Sequence, residues 1–186
     1  MIIRLADCPS QPWKNGLGRT RELAVERSTA DSDDFLWRVS IAEVDSAAPF
    51  SRFPGIDRHI VLLDGAGFTM TLDDSRTHAL TTRFAPFAFP GEARVEVVLV
   101  DGATRDFNLM VQRGRLRGDV QAWSGPAMHM LDAATRLVFC ARGEIDTVDG
   151  RLGAGDAWCP SLQAGHPLTL GNNAVALAVR IESRVR

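Results

Sequence analysis

The sequence lacks a long hydrophobic run, and it lacks a marked excess of charge of either sign. None of its apolar stretches approaches the roughly 20 residues that a membrane-spanning helix needs. The net charge is -2 over 186 residues, so there is no basic field to hold nucleic acid. The N-terminal stretch MIIRLADCP is too short and too polar for a signal peptide. We therefore expect a cytoplasmic protein with no membrane and no nucleic-acid partner.

Residues that usually bind metal ions are scarce. There are four histidines and three cysteines, the histidines are isolated from one another, and no His-x-His pair occurs. A metal ion needs several donors that converge, and the cysteine spacing matches no zinc motif. We therefore predict no metal and no other cofactor, and the odd number of cysteines favours a reducing compartment. The residues in question are His59, His78, His129 and His166, and Cys8, Cys140 and Cys159.

Motifs of nucleophilic and phosphate chemistry are also missing. Ser124-Gly125 lacks the flanking pattern of a nucleophile elbow, and no Walker motif occurs. Gly16 and Gly18 precede a predicted strand, so no helix N-terminus follows them to bind phosphate. We assign no catalytic residue, and the sequence favours a non-enzyme without deciding the question. A paired-carboxylate site stays open, because four carboxylates lie near predicted turns: Glu22, Asp57, Glu92 and Asp106.

Short alternating stretches, separated by glycine and proline, make up most of the chain. Residues 59–72 contain two apolar runs on either side of a Gly-rich turn, which predicts a β-hairpin. Residues 84–92 contain two prolines and predict an edge strand or a barrel rim. Residues 127–136 predict one short helix or a loop, and the polar run at 31–34 predicts another loop. Many short strands separated by turns that contain glycine or proline predict an antiparallel sandwich or barrel.

A weak internal repeat divides the chain. IVLLDGAGFTMTL, FPGE and VEVVLV in the first part correspond to LVFCARGEIDTV, GAGD and VALAV in the second. GRLGAGD, with a strand and a Gly-His loop after it, resembles the second half of a cupin, a small double-stranded β-helix barrel. The resemblance implies an all-β bicupin, with two antiparallel barrel or sandwich halves packed in one compact chain. We expect a single domain over residues 1–186, with approximate halves at 1–115 and 116–186.

The stretch WRVSIAEVDSAAPFSRFPGIDR, residues 37–58, carries the main candidate for a binding site. Arg38 and Ser40 share one face of its first strand. Ser51 lies in the loop that follows, and Arg58 begins the next strand. Arginine binds carboxylates through two parallel hydrogen bonds, and hydroxyl groups can complete such a site. The alternative is that both arginines face solvent or pair with a nearby carboxylate of Glu22, Asp57 or Asp106.

Other polar and aromatic residues leave similar alternatives. Asn108 is the lone polar side chain on one face of a later strand, where it either lines a pocket or meets water. Trp13 and Trp37 are interpreted as core side chains rather than ligand-stacking ones. His59 points to the opposite strand face from Arg58 and is interpreted as structural.

Three blocks in this order resemble the HutD/Ves family: PWKNGLGRTREL, the stretch 37–58 with LLDGAGFTMTL after it, and RDFNLMVQRG. The resemblance covers most of residues 8–115 closely and the remainder loosely. It implies a bicupin without the usual metal triad and with no firmly assigned enzymatic activity. It also implies that the ligand-binding residues come from these blocks, namely Lys14, Asn15, Glu22, Arg38, Ser40, Ser51, Arg58 and Asn108.

The resemblance implies a function as well. HutD members are encoded with histidine-utilisation genes and are thought to restrain that pathway by sensing an intermediate, such as a formimino- or formyl-glutamate-like compound. Ves members are labelled stress-induced. We therefore expect a protein that binds a small anionic metabolite and regulates histidine utilisation or a stress response.

Two alternative functions stay open. One is a metal-independent cupin isomerase or hydrolase that acts on a small carboxylate, with Glu22 or Asp106 as general base. The other is a β-barrel interaction or dimerisation module, and a homodimer is left open.

Overall fold

Almost every described segment of the chain is a β-strand. The computed structural model describes residues 1–28, 35–161 and 165–184, so the predicted loop at 31–34 lies outside the described residues. A 3-10 turn spans Leu5–Asp7, and no helix in this part of the chain is long and apolar enough to cross a membrane. The strands, numbered in chain order, are β1 (Ile2–Ile3), β2 (Ser10–Pro12), β3 (Gly18–Arg27), β4 (Phe35–Val44), β5 (Ile56–Asp64), β6 (Phe68–Leu72), β7 (Arg76–Leu80), β8 (Phe87–Pro90), β9 (Val95–Leu99), β10 (Thr104–Gln112), β11 (Leu116–Ser124), β12 (Ala127–Met130), β13 (Thr135–Arg142), β14 (Glu144–Thr147), β15 (Gly150–Gly153), β16 (Ala157–Trp158), β17 (Pro167–Leu170) and β18 (Val175–Ser183).

Internal contacts divide the chain into two units, each built on two sheets. The N-terminal unit is Pro9–Leu116, with a six-stranded sheet in the order β2-β3-β4-β10-β5-β8 and a three-stranded sheet in the order β7-β6-β9. The C-terminal unit joins Met1–Cys8 to Arg117–Arg186. Its sheets have five strands, in the order β1-β16-β13-β18-β11, and four strands, in the order β12-β17-β14-β15. The described strands confirm the prediction of an all-β, antiparallel fold.

The six-stranded sheet of the N-terminal unit has an inner face, which is turned toward the three-stranded sheet of the same unit. Ile60 and Leu62 of β5 pack there with Phe68 and Met70 of β6, and all four are 1% exposed or less. Successive strand residues point to opposite faces, so Arg58 lies on the same inner face as Ile60. An apolar core and a charged side chain therefore share this face.

The hairpin predicted for residues 59–72 is wrong. Both strands exist, but β5 pairs with β10 and β8, whereas β6 pairs with β7 and β9. The turn between them carries the chain from one sheet to the other. Gly67 in this turn has φ +85°, and a Cβ there would lie 2.0 Å from the carbonyl oxygen of Leu80. Alternation and turn residues identify strands, but they carry no information about which strand is the partner.

The proline-rich stretch at 84–92 behaves as predicted. Its strand, β8, lies at one edge of the six-stranded sheet and pairs only with β5 among the described strands. Proline lacks the N–H that a second partner strand would need, so Pro90 is tolerated at this edge.

Two other segments differ from expectation. Residues 127–130 form β12, which pairs with β17, so the predicted helix or loop is wrong there. The N-terminal strand β1, which the sequence places in the half 1–115, pairs instead with β16 of the C-terminal unit, with Ile2 opposite Trp158. Strands of two and four residues are too short for their alternation to indicate a partner or even a type of element.

Candidate functional site

Three neighbouring strands bring polar side chains together on the inner face of the six-stranded sheet. In one row, Met110 of β10 lies between Arg38 of β4 and Arg58 of β5. In the next row, Asn108 lies opposite Ser40 of β4. Directly opposed residues on one sheet face have their Cβ atoms about 5 Å apart. The register of β10 therefore gathers side chains that are about 70 residues apart in the sequence.

These rows line a cavity of about 440 Å³. That volume is in the range of sites for small metabolites, which are mostly apolar with a few placed polar groups. Guanidinium, carboxyl, amide and hydroxyl groups share this lining with aromatic rings. The lining residues are Pro12, Trp13, Lys14, Asn15, Thr20, Arg38, Ser40, Ala42, Val44, Pro49, Phe50, Ser51, Phe53, Arg58, Ile60, Asp106, Asn108 and Met110.

Arg58 is a buried cation that has no carboxylate partner among the described residues. It is 6% exposed, and its Nη2 donates to Asn108 Oδ1 at 3.3 Å. Its Nη1 lies 3.5 Å from the carbonyl oxygen of Ser51, and its Nε has no hydrogen-bond partner there. Phe50 and Phe89 each place a ring centroid 5.0 Å from the guanidinium carbon. Burial, and then the positive charge of Arg38, lower the pKa of Arg58 to about 10.

Arg38 is the second cation of the cavity, and it is half-buried. Its Nη2 contacts the sulfur of Met110 at 3.3 Å, its guanidinium lies 5.3 Å from the ring of Phe35, and its Nε has no partner within the described residues. Burial lowers the pKa of Arg38, while the charge of Glu22 acts in the opposite direction. The alternative from the sequence is that both arginines face solvent or pair with Glu22, Asp57 or Asp106. Arg58 is buried and Arg38 is half-buried, and neither forms an ion pair with a carboxylate in the described part of the chain. The carboxylate of Asp57 is paired with Arg113 instead, at 2.5 Å.

Asn108 connects the two polar ends of the cavity. Its Oδ1 accepts the hydrogen bond from Arg58, and its Nδ2 donates to the backbone carbonyl of Asp106 at 3.4 Å. These two contacts fix the orientation of the amide. Ser40, 4% exposed, lies opposite Asn108 and adds a hydroxyl to the same row.

Asp106 places a buried carboxyl group in the cavity lining. It is 1% exposed, and its Oδ2 accepts a hydrogen bond from Thr104 at 3.0 Å. Its Oδ1 has no hydrogen-bond partner among the described residues. Burial raises the pKa of Asp106 to about 7, and the Thr104 hydrogen bond offsets only part of this effect.

The loop between β2 and β3 closes one side of the cavity. Trp13 lines it, and its Nε1 donates to Thr20 Oγ1 at 2.8 Å, so the interpretation of Trp13 as a core residue is wrong. Lys14 and Asn15 also line the cavity and are exposed. The Oδ1 of Asn15 accepts the backbone N–H of Leu17 at 3.1 Å, which shapes the loop.

Seven of the eight predicted ligand-binding residues are therefore among the lining residues, and Glu22 is not. Glu22 lies opposite Ser40 across the β3–β4 pair, next to the cavity, where its charge acts on Arg38. His59 points away from the inner face, as its alternation with Arg58 indicates. No cluster of three or more histidine, cysteine or acidic side chains that could hold a metal ion occurs in the described part of the chain.

Sequence reasoning missed two parts of the lining. Asp106 was considered as a base but not as a binding residue, although it precedes Asn108 by two positions and therefore shares its strand face. The rings around Arg58 were also missed. Phe50 and Phe53 flank Ser51 in the predicted loop, so this signal was present in the sequence.

Solved and curated proteins resemble this chain. A 21.2 kDa protein in the hutC 3' region of Pseudomonas putida is 37% identical over 145 residues, which cover 78% of this chain and 75% of that protein. The protein Ves of Cronobacter sakazakii is 41% identical over 114 residues, or 61% of each chain. The structure of HutD from Pseudomonas fluorescens, described as a formate condition, matches with a TM-score of 0.86 and 29% identity over 100% of this chain and 99% of that one.

A more distant likeness concerns the fold alone. Oxalate decarboxylase of Bacillus subtilis matches with a TM-score of 0.64 at 8% identity, over 99% of this chain and 79% of that one. These likenesses confirm the bicupin prediction. The HutD family model matches residues 5–184, nearly the whole length. The chain therefore belongs to the HutD family.

Proposed function

We propose that this protein binds a small anionic metabolite in the cavity of the N-terminal unit, through Arg38 and Arg58. The observation that carries the proposal is that both guanidinium groups line one cavity, and each has an Nε without a partner among the described residues. Ser40 and Asn108 lie in the next row of the same sheet face and add a hydroxyl and an amide.

The energetics support an anion at this position. A buried cation without a counter-ion has lost much of its hydration, and two neighbouring cations also repel each other. A carboxylate between Arg38 and Arg58 would relieve both costs at once and would accept charge-assisted hydrogen bonds. The lowered pKa of both arginines is the expected result of burial without such a partner.

We further propose that the ligand is an acidic metabolite of the formimino- or formyl-glutamate type, and that binding regulates histidine utilisation or a stress response. Family membership and the position of the Pseudomonas putida relative beside hutC support this role. The similarity to Ves proteins supports the alternative setting of a stress response. In this proposal the protein acts in the cytoplasm without nucleic acid or membrane.

Calorimetric titration with formate, glutarate and N-formyl-L-glutamate tests the binding proposal. We expect the wild type to bind. The affinity of the Arg58→Met and Arg38→Met variants should each be at least about tenfold lower, because each variant loses a charge-assisted contact. Arg94→Met is the matched control, since Arg94 lies outside the cavity and is already paired with Asp74 and Glu96. Equal affinities of wild type and Arg58→Met would contradict the pocket assignment.

The regulatory proposal needs an experiment in cells. A deletion strain, grown on histidine, is complemented with wild type or with the Arg38→Met/Arg58→Met double variant. We expect wild type alone to restore normal expression of the histidine-degradation genes. Equal restoration by both proteins would separate regulation from ligand binding and contradict the proposal.

A second candidate, a metal-independent isomerase or hydrolase, is favoured by one observation. Asp106 lines the cavity, and its pKa of about 7 is the value expected of a general acid or base that works at neutral pH. Incubation of the protein with the same carboxylates, followed by proton NMR, tests it. Turnover that is lost in Asp106→Asn supports the enzyme, and unchanged spectra over a day contradict it.

A further inference from the structure

The cavity has two chemically different ends. Arg38, Met110 and Arg58 form the row at one end, and Asp106 lies on β10 four residues before Met110. At the usual rise of a strand this is about 13 Å between the two Cα positions. Asn108 stands between them, with its oxygen toward Arg58 and its nitrogen toward the backbone of Asp106. A ligand that fills the cavity therefore meets guanidinium groups at one end and a carboxyl group at the other.

The surroundings of Asp106 leave one of its oxygens available. The residues opposite it on the neighbouring strands are Ala42 and Leu62, which carry no polar side-chain atoms. Thr104 occupies Oδ2, while Oδ1 has no partner among the described residues. Buried polar groups almost always have hydrogen-bond partners, and Asp106 Oδ1 is, with the Nε atoms of Arg38 and Arg58, one of three exceptions among the described residues that line this cavity. The simplest explanation is that the missing partner belongs to the ligand.

We propose that the ligand of this cavity carries a nitrogen with an N–H group in addition to its acidic group, and that this N–H donates to Asp106 Oδ1. The inference rests on the proposed function, because Arg38 and Arg58 must hold the acidic group. It names the class of ligand as a nitrogen-containing acid, such as an ammonium or amidinium carboxylate, rather than a plain dicarboxylate. A plain dicarboxylate would place its second charge beside the Asp106 carboxyl group, where no cation is ready to bind it.

Ionisation of Asp106 gives this arrangement a distinctive pH dependence. The charged groups on or beside the inner face are Arg38 and Arg58 at the far end, Glu22 beside Ser40, and Lys14 in the exposed loop. The two arginines stay cationic across neutral pH. A cationic ligand group binds best when Asp106 is ionised, so its affinity is expected to fall as pH drops below about 7.

Calorimetry with matched acids tests the inference. The pairs are γ-aminobutyrate with glutarate, δ-aminovalerate with adipate, and ε-aminocaproate with pimelate, so that each pair differs only in replacing a carboxylate by an ammonium group. At about pH 8 we expect at least one amino acid to bind about tenfold or more tightly than its dicarboxylate. Asp106→Leu, which lacks an acceptor, is expected to abolish the preference, and Asp106→Asn, which keeps an acceptor oxygen but cannot ionise, is expected to reduce it. At about pH 5.5 the preference of the wild type is expected to shrink.

The outcomes separate this inference from the proposal on which it rests. If dicarboxylates bind as tightly as the amino acids, and Arg58→Met weakens them, the anion site stands and the inference about Asp106 is overturned. A preference that survives in Asp106→Leu, or that grows as the pH falls, also overturns it. If none of the acids binds at millimolar concentration, both the anion site and this inference fail.

Discussion

The two units are both built from paired antiparallel sheets, but their interiors differ. In the C-terminal unit, Trp158 is 0% exposed and belongs to an apolar cluster with Val138, Cys140 and Ala176. In the N-terminal unit, the central strands instead present arginine, asparagine and aspartate to a cavity. Of the seven buried polar or charged residues in the described part of the chain, six lie in the N-terminal unit, and the exception is Thr135.

This difference indicates that one set of side chains stabilises the fold and another set binds the ligand. A large side chain such as Trp158 fills the interior and contributes through burial and close packing. Buried charges without partners contribute little to the stability of the fold or reduce it. They are retained where they bind a ligand. The apolar clusters of both units are therefore the expected source of stability, and the cavity of the N-terminal unit is the expected site of binding.

Truncation of the apolar interior has the largest expected effect. Trp158→Ala removes a fully buried indole and its 2.7 Å hydrogen bond to Asp149, and it leaves a void in the cluster. We expect the free energy of unfolding to fall by about 5 kcal/mol, the upper end for such substitutions. Urea denaturation measures this change. A loss below about 2 kcal/mol would mean that this cluster is not a main source of stability.

The pH dependence of stability comes next and reports on Asp106. Its pKa is raised from 3.8 to about 7 in the folded protein, so the folded state holds a proton that the unfolded state has already released. The contribution of Asp106 to stability is therefore full below about pH 4 and is lost as the pH rises toward 7, by up to about 4 kcal/mol.

Asp106→Asn is the control for this pH dependence, because asparagine does not titrate. Urea denaturation at several pH values should show the fall in wild type and a nearly flat profile in the variant. Identical slopes for the two proteins would show that Asp106 is not buried as described.

The sequence predicted which polar side chains share a strand face, but it did not predict which strands lie next to each other. Alternation placed Arg38 with Ser40, and it separated Arg58 from His59, because side-chain direction has a period of two residues. The meeting of Arg38 with Arg58 depends on β10, which inserts between β4 and β5 from a distant part of the chain. The missed pairing of β1 with β16 has the same cause. Local patterns define faces, whereas partners depend on how the whole chain packs.

Removal of the buried cation has a smaller effect on stability and the opposite sign. Arg58→Met keeps the length of the side chain and removes a charge that has no carboxylate partner among the described residues. We expect the free energy of unfolding to rise by about 1 kcal/mol, because relief from desolvation exceeds the loss of the contacts with Phe50 and Phe89. Thermal denaturation without ligand measures it. A clear destabilisation would assign Arg58 a structural role rather than a binding role.

The smallest effect is expected at an exposed arginine of the same unit. Arg94 is 59% exposed in its side chain and pairs with Asp74 and Glu96. Arg94→Met should change the free energy of unfolding by no more than about 0.5 kcal/mol, because exposed ion pairs are weak. Comparison of its thermal denaturation with that of Arg58→Met shows whether burial without a partner is what distinguishes Arg58. Equal shifts in both variants would remove that distinction.

NMR of the arginine side chains tests whether the guanidinium groups of Arg38 and Arg58, whose Nε atoms have no partner among the described residues, bind an acidic ligand. The Nε–H resonances of Arg38, Arg58 and Arg94 are assigned from the three methionine variants, and N-formyl-L-glutamate is then titrated into the wild type. We expect the Arg38 and Arg58 signals to shift together and saturate, while the Arg94 signal stays in place. Binding that shifts backbone signals elsewhere and leaves the Nε–H signals of Arg38 and Arg58 unchanged would contradict this expectation.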